Sequence, residues 1–432
     1  MKIKQLTLTH YRRFRSFRID FDEQVTVLVA RNGAGKSSIL DALATALGLY
    51  LTRLPGVSGI SPRETDFQVD PDGSKPAYMR IECESFSGVK WDRTEKRDKS
   101  AKTEKQIPPA MGHKALMNTV DAVVDAHNEG RDYSLPIFAH YGTNRAVFDI
   151  PQRKRAFKNA FSRFDAFDGA LQGRANFKRL IEYFYFLEDC ENREHKARAS
   201  FAYEHPELRA IRQAISRLMP AFTQPRSVYP AGLMVNWTVD NTVKQLRIEQ
   251  LSDGYRTTLA MVMDIAARMA EANPASEEPL NTEGVILIDE VDLHLHPGWQ
   301  QQILPDLMKT FPNVQFIVTT HSPQVVSSVK PESLRVIDWQ GEEARLIPVN
   351  FSFGAESQQM LTQVLGVEPR SPVKIVQQLY EYQQLVAENQ WDSDRGLELR
   401  RILDDWGAEY EPELLRLEMD IRLKALDRDQ LP

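Results

Sequence analysis

Polar and apolar residues alternate in several short stretches of this chain, as they do in strands that have one buried face. The alternation predicts short strands over residues 3–9 and 17–20, joined as a hairpin, and strand pairs over 77–92 and 227–249. A charged run over residues 94–105 follows the first pair and is typical of a solvated loop or hairpin tip.

Other apolar runs are continuous, which is typical of strands buried on both faces of a sheet. They cover Val25–Val29, 135–141, 285–289 and 315–320. Between them lie segments with apolar residues at helical spacing. The predicted helices are 38–51, 115–130, about 253–272 and a segment that begins near 299. Strands that alternate with helices in this way predict an α/β fold with a mixed sheet.

Two further parts of the chain have only helical patterns. Residues 151–220 form a predicted helical insertion, and the chain from Glu356 onward is helical throughout. We therefore predict one α/β domain over 1–354, interrupted by the insertion, and an all-helical C-terminal region over 355–432.

Charge is spread unevenly along the 432 residues, whose net charge is −6. Residues 356–432 hold 16 acidic and 9 basic side chains, a net of −7, and the rest of the chain is at +1. An acidic region repels nucleic acid, so we expect this one to dock a protein partner. The two cysteines, Cys83 and Cys190, have no metal-type spacing and indicate a reducing, cytoplasmic location. We expect no association with a membrane, because no apolar run is long enough to span one.

A glycine-rich segment between a predicted strand and a predicted helix has the composition of a phosphate-binding loop. Glycines let backbone N–H groups turn toward phosphate oxygens, and the helix that follows directs its positive end at the same anion. Lys36 is predicted to reach the β- and γ-phosphates of a nucleotide, and Ser37 to bind Mg²⁺. The predicted nucleotide-binding residues of this loop are Arg31, Asn32, Gly33, Ala34, Gly35, Lys36, Ser37 and Ser38.

Two of the buried apolar runs end in residues suited to phosphate chemistry. Asp289 and Glu290 follow one run, where the first acid can hold Mg²⁺ and the second can polarise an attacking water. An acidic helix cap is the alternative interpretation of this pair in isolation. His321 ends the next run, where an imidazole can hydrogen-bond a γ-phosphate and sense its presence. Glu290 and His321 are therefore the candidate catalytic residues.

The order of these segments resembles that in the ABC ATPase heads of the RecF, Rad50 and OLD group. Residues 251–257 (LSDGYRT) are similar to the ABC signature, which makes Ser252, Asp253 and Gly254 nucleotide contacts, although Ser252 alone also suits a simple helix cap. Residues 293–297 (LHLHP) are similar to the loop after Walker B.

The resemblance implies an ATPase head that uses ATP and Mg²⁺. It also implies that each nucleotide lies between the phosphate loop of one subunit and the signature of another. We therefore expect a homodimer or a higher homo-oligomer. Ala30 stands where the phosphate loop usually begins with glycine, and Asp253 and Tyr255 depart from the usual signature. We therefore expect slow turnover.

Within that group the chain resembles the PtuA family, the ATPases of Septu-type antiphage systems and of retrons that carry Septu genes. The segments that suggest this are 140–145 (HYGTNR), 251–268 (LSDGYRTTLAMVMDIAAR) and the helical tail from Phe353. The resemblance implies an ATP-controlled regulatory subunit with an HNH nuclease partner similar to PtuB. It adds a retron reverse transcriptase and its RNA–DNA product as candidate partners. Residues 141–145 fall where a glutamine loop is expected but contain no glutamine.

Two other functions stay open from the residues. A DNA-repair or chromosome-maintenance ATPase of the RecF type acts directly on DNA, but the long coiled coil or basic arm usual in that class is not visible here. A self-contained OLD-type nuclease needs a DxD motif after an apolar strand, and the tail offers only residues 392–394 (DSD). A basic cluster is a candidate nucleic-acid patch, although acids around it favour a solvated helix face. The cluster contains Arg153, Lys154, Arg155, Lys158 and Arg163.

Overall fold

Strands in the computed structural model follow most of the alternating and apolar stretches of the sequence, and the described residues place them in three sheets. The structure describes residues 1–146, 161–173, 177–228 and 232–429. In chain order the strands are β1 (Ile3–Tyr11), β2 (Phe14–Asp20), β3 (Val25–Val29), β4 (Tyr78–Ser85), β5 (Lys90–Lys96), β6 (Ile137–Tyr141), β7 (Phe222–Val228), β8 (Gly232–Val239), β9 (Thr242–Arg247), β10 (Gly284–Ile288), β11 (Val314–Thr320), β12 (Leu334–Gln340) and β13 (Glu343–Ile347).

Helices connect these strands and form the regular structure that follows β13. In chain order they are α1 (Lys36–Leu51), α2 (Ala101–Glu104), α3 (His113–Asn128), α4 (Phe177–Arg198), α5 (Pro206–Leu218), α6 (Asp253–Ala272), α7 (Pro297–Gln300), α8 (Ile303–Thr310), α9 (Pro323–Ser327), α10 (Ser357–Gln363), α11 (Lys374–Ala387), α12 (Asp394–Gly407) and α13 (Pro412–Asp429). None of the helices that the structure describes is long and apolar enough to cross a membrane.

A six-stranded sheet with the order β13-β12-β3-β11-β10-β6 lies at the centre of the fold. Neighbouring strands are parallel, except that β13 runs antiparallel to β12. Every residue of β6, β10 and β11 is buried, as expected of parallel strands between layers of helix. Because the carboxyl ends of parallel strands meet at one edge, the loops that follow β3, β6, β10 and β11 converge there.

A four-stranded antiparallel sheet, β2-β1-β4-β5, packs on α1 and is joined to the central sheet by buried hydrogen bonds. The indole N–H of Trp91 donates to the carbonyl of Ala46 in α1 at 3.0 Å. The Gln315 side chain in β11 bonds the N–H and the carbonyl of Ile3 at 2.7 and 2.6 Å. These contacts hold the β1–β2 hairpin beside the loop that follows β3.

Helix α6 is tied to the end of β6 by a buried polar chain. The hydroxyl of Tyr141 donates to the carboxylate of Asp264 at 2.7 Å, and Arg268 donates to the same carboxylate at 2.7 Å. Because a buried carboxylate is stable only when it is well hydrogen-bonded, these bonds fix the position of α6 against the sheet.

Two predictions of local structure are wrong in detail, and two strands were not predicted. The strand pair expected over 227–249 is a three-stranded sheet, β7-β8-β9, that begins at Phe222. The charged run over 94–105 continues β5 as far as Lys96 and then forms α2, whose first turn is capped by the Ser100 side chain. The sequence analysis did not predict β12 or β13. The residues of β13 are mostly exposed and have no buried face, whereas β12 has buried residues that were overlooked.

The predicted helical insertion contains α4 and α5, and part of it lies outside the described residues. Arg153, Lys154, Arg155 and Lys158 of the basic cluster are in that part. Arg163 belongs to a 3₁₀ turn, and its guanidinium donates to the carbonyls of Ala272 and Tyr133 at 2.6 and 2.8 Å. Arg163 therefore braces the fold and does not lie on the solvated helix face that the sequence suggested.

The chain divides into two compact units between Leu365 and Gly366. Helix α10 belongs to the first unit, where Met360 is buried in the main core. The described elements of the second unit are α11, α12 and α13, which share a separate apolar core. That core contains Leu379, Tyr382, Val386, Leu399, Leu403, Leu414 and Leu417.

Because the second unit has its own core, we expect Leu403→Ala to lower the free energy of unfolding of that unit alone, by about 2–5 kcal/mol. Leu403 is fully buried, whereas Leu397 in the same helix is 49% exposed, so Leu397→Ala is the matched control, with an expected effect below about 0.5 kcal/mol. Scanning calorimetry should show that one of two transitions moves to lower temperature. A single transition that shifts as a whole would contradict separate folding.

Candidate functional site

The loop between β3 and α1 has the backbone shape of an anion-binding site. Gly33 and Gly35 take φ angles of +74° and +100°, and the 16-residue helix α1 begins directly after Gly35. A Cβ at Gly35 would lie 2.6 Å from the ring of Phe14, so only glycine fits there. Ala30 does not take a positive φ, so alanine causes no backbone strain where glycine is usual. The N–H groups in the first turn of α1 can donate hydrogen bonds to an anion bound at this loop.

Lys36 extends its amine across this loop toward β11. Its Nζ donates to the carbonyl of Ala30 at 2.9 Å and lies 2.8 Å from Nε2 of His321. Burial lowers the pKa of Lys36, and the charges of Asp289 and Glu290 oppose that shift. Burial, followed by the charge of Lys36, lowers the pKa of His321 below its usual value. A neutral His321 can therefore accept the lysine hydrogen bond through Nε2.

Asp289 is the point at which the loop, β10 and β11 meet. Its Oδ2 accepts a hydrogen bond from Ser37 Oγ at 2.7 Å, and its Oδ1 accepts one from Thr319 Oγ1 at 2.6 Å. Mg²⁺ prefers oxygen ligands and is usually held by one or two side chains together with phosphates. Ser37 and Asp289 fit that pattern. The described residues contain no group of three or more His, Cys, Asp or Glu side chains that could hold a metal alone. A Mg²⁺ ion held here would take its other ligands from phosphate or water oxygens.

Glu290 follows Asp289 with a positive φ of +48°, which is uncommon for a residue with a side chain. Its N–H donates to Thr319 Oγ1 at 2.7 Å, so one threonine orients both acids. The structure thus brings Lys36, Ser37, Asp289, Glu290 and His321 to one edge of the sheet. The sequence analysis did not identify Thr319, although it lies two residues before His321.

The remaining predicted loop residues surround the glycines. Arg31 and Asn32 are exposed, and Ala34 is buried. The hydroxyl of Ser38 accepts a hydrogen bond from Arg12 at 3.4 Å, and Arg12 also pairs with Asp41 in α1 at 2.6 Å.

The sequence analysis did not identify Arg13 and Trp339, whose side chains flank the phosphate loop. Arg13 donates to the carbonyl of Gly33 at 2.8 Å, and its guanidinium lies 3.9 Å from the ring centre of Trp339. The Trp339 indole donates to the carbonyl of Ala34 at 3.0 Å. The hairpin turn around Arg13 was visible in the sequence, but nothing in the sequence connects Trp339 with a loop 305 residues earlier.

The predicted signature residues lie at the N-terminus of α6, apart from the loop. Ser252 occupies the cap position without a side-chain cap hydrogen bond, and Asp253 pairs with Arg256 one turn along at 2.6 Å. A Cβ at Gly254 would lie 2.3 Å from the carbonyl of His294, so this end of α6 packs tightly on the segment after β10. The polar contacts of these three residues stay within α6 on the described part of the chain.

Two family models match the chain, one described as an AAA domain and the other as an AAA domain, putative AbiEii toxin, Type IV TA system. The first covers residues 5–221, about half of the chain, and the second covers residues 145–327. The two ranges together include the loop, β10, β11 and α6.

Relatives align over much of the chain. Retron Ec83 probable ATPase from Escherichia coli is 28% identical over 99% of this chain and 88% of its own length. Septu protein PtuA from Bacillus mycoides (strain KBAB4) is 30% identical over 38% of this chain and 23% of its own length. Among solved structures, the SMC head domain from Thermotoga maritima matches 81% of this chain and all of its own at 14% identity and a TM-score of 0.41. The resemblance to the PtuA family and the predicted α/β ATPase-head fold with a helical C-terminal region are confirmed.

We expect Lys36→Ala to weaken ATP binding by at least about 100-fold, because the loop would lose its buried cation. Lys105→Ala removes a charge of the same kind at an exposed position and should leave the affinity unchanged. Isothermal titration calorimetry with ATP and Mg²⁺ measures both variants. Equal affinity of Lys36→Ala and the parent would show that this loop does not bind the phosphates.

Proposed function

This chain belongs to the AAA domain family, and from that premise we propose that it is the ATP-dependent regulatory subunit of an antiphage defence complex. Its enzymatic activity is ATP hydrolysis. One observation carries the proposal: Ser37 and Asp289, 252 residues apart, are joined at 2.7 Å directly beside Lys36. Relatives named for a retron and for Septu support the defence role.

Each residue of the site has a distinct role in this proposal. Lys36 and the N–H groups of α1 bind the phosphates of ATP. Ser37 and Asp289 hold Mg²⁺, which neutralises phosphate charge when it is bound. Glu290 orients the attacking water and accepts its proton. His321 hydrogen-bonds the γ-phosphate, and its lowered pKa keeps the imidazole neutral near pH 7.

The proposed catalytic unit is a pair of chains. The signature residues Ser252–Gly254 keep their polar contacts within α6, so in one copy they leave the phosphate loop without a signature partner. In the proposed dimer, Ser252 of each copy faces the γ-phosphate held by Lys36 of the other. Two nucleotides then lie in two equivalent interfaces, and ATP controls how the two copies are arranged.

Mixing two inactive variants tests this shared site. Lys36→Ala loses the phosphate loop and Ser252→Arg blocks the signature, so each alone should be inactive. In a 1:1 mixture, one site of each mixed dimer combines intact Lys36 with intact Ser252, and turnover should recover to about a quarter of the parent value. A mixture of Lys36→Ala with Lys36→Met is the control and should stay inactive. Mixed dimers that form, shown by differential tags, but do not hydrolyse ATP would contradict a shared site.

The second unit supplies the proposed docking surface for the effector. Helix α13 has two apolar faces. On the inner face, Leu414, Leu417 and Ile421 pack on the core of the unit. Apolar residues on the opposite face are largely exposed. They are Leu415, Met419, Leu423 and Leu426, spaced at helical intervals and 47% to 68% exposed. A helix that is apolar on two opposite faces suits a position between two partners.

Charge favours a basic protein as the partner of this α13 face. Residues 366–432 carry 15 acidic and 9 basic side chains, a net of −6. Several of the basic side chains are paired internally, as in Arg370–Glu411 and Arg395–Glu381. The charge supports a basic partner, and the resemblance to the PtuA family implies that this partner is an HNH nuclease similar to PtuB. The retron relative supports a reverse transcriptase and its RNA–DNA product as further components of the complex.

Substituting the α13 face separates docking from catalysis. We expect Met419→Ser combined with Leu423→Ser to reduce co-purification with a co-expressed HNH nuclease at least about tenfold, because a docking helix depends on a few apolar anchors. ATP hydrolysis without the nuclease should stay unchanged. Phe201→Ser is the matched control, since Phe201 is 91% exposed in the first unit. Undiminished complex formation would place the docking surface elsewhere, for example on the helical insertion.

A further inference from the structure

Arg145 is a buried cation beside the proposed catalytic acids, and the mechanism above gives it no role. It lies in the short 3₁₀ segment Thr143–Ala146 that follows β6, and it is 3% exposed. Burial lowers its pKa to about 10, and the nearby charges of Asp289, Asp292 and Glu290 oppose that shift. The guanidinium is therefore still charged at neutral pH.

The hydrogen bonds of Arg145 go to main-chain oxygens at the strand ends. Nη1 donates to the carbonyl of Asp289 at 2.5 Å and to that of Gly142 at 3.2 Å. Nη2 donates to the carbonyl of Glu290 at 2.5 Å. One planar side chain thus holds two consecutive carbonyls of the acid pair and ties them to the end of β6.

The backbone at this position needs such support. Glu290 takes a positive φ, a conformation that persists in a residue with a side chain only where its surroundings fix it. The N–H of Glu290 is held by Thr319, and that of Asp289 by the carbonyl of Tyr141 at 2.8 Å. Arg145 supplies the bonds on the carbonyl side. Because it does not bond the Asp289 carboxylate, both oxygens of that group remain engaged with Ser37 and Thr319.

We propose that Arg145 is a positioning residue that sets the backbone of Asp289 and Glu290 so that the Glu290 carboxylate faces the attacking water. This inference rests on the proposed catalytic role of Glu290. The binding of ATP depends on Lys36 and Ser37 in α1, which Arg145 does not touch, and on the Asp289 carboxylate, which is held by Ser37 and Thr319. Loss of Arg145 therefore acts on the rate of hydrolysis much more than on the affinity for the nucleotide.

Two substitutions of Arg145 in the full-length chain test this role. Arg145→Ala should lower kcat about 100-fold, the order expected when a catalytic group is displaced by about 1 Å. The Kd for ATP should stay within about threefold of the parent value. Arg145→Lys keeps the charge but cannot reach both carbonyls with a planar fork, so it should lose nearly as much activity. Methylguanidinium added to Arg145→Ala should restore part of kcat.

Arg163→Ala is the matched control. Arg163 also donates to two main-chain carbonyls, those of Ala272 and Tyr133, neither of which belongs to the acid pair. It should leave kcat unchanged. Loss of kcat, ATP affinity and melting temperature together in both variants, with no rescue of Arg145→Ala by methylguanidinium, would show a merely structural role and overturn the proposal. So would a kcat of Arg145→Ala within about threefold of the parent.

Glu290→Gln separates this proposal from the assignment on which it rests. If Glu290→Gln binds ATP without hydrolysing it and Arg145→Ala remains active, the positioning role of Arg145 is refuted and the catalytic role of Glu290 stands. If Glu290→Gln hydrolyses ATP at the parent rate, the proposed role of Glu290 itself is refuted.

Discussion

The Asp289 carboxylate is the contact on which the geometry of the site depends. It accepts hydrogen bonds from Ser37 at the start of α1 and from Thr319 in β11, while its own backbone ends β10. A buried carboxylate that lost either donor would retain an unmet charge in a region of low dielectric. The two bonds therefore fix the spacing of α1, β10 and β11 at this point. Lys36, Glu290 and His321 take their places relative to that spacing.

The parallel sheet explains why the motif residues were predictable. Residues that follow buried strands must lie at one edge, so Lys36, Asp289 and His321 could be brought together from sequence alone. Arg145 lay in a segment to which the sequence analysis assigned no role. Its partners are main-chain carbonyls, which every residue type has, so the sequence does not show the contact. Trp339 was missed for the same reason, and β13 because it has no buried face.

The hydrogen bond from Tyr141 to Asp264 links β6, next to the proposed catalytic acids, with α6, which begins with the signature residues. Tyr141 belongs to β6, whose following segment carries Arg145, and Asp264 belongs to the helix that begins with the signature. The Tyr141 carbonyl also accepts the N–H of Asp289, so the same residue contacts both α6 and the backbone of the acid pair. The acidic second unit is built around an apolar core of its own.

The contact between Trp339 and the phosphate loop also limits how early a growing chain can form its nucleotide site. Ala34 leaves the ribosome 305 residues before the indole that binds its carbonyl. At a synthesis rate of about 5–20 residues per second, that interval is about 15 to 60 s. During this time β3 also lacks its neighbours β11 and β12, so the N-terminal segment has unpaired strand edges and no closed loop. Newly made chains are thus exposed to aggregation and proteolysis before they can be stabilised by a nucleotide.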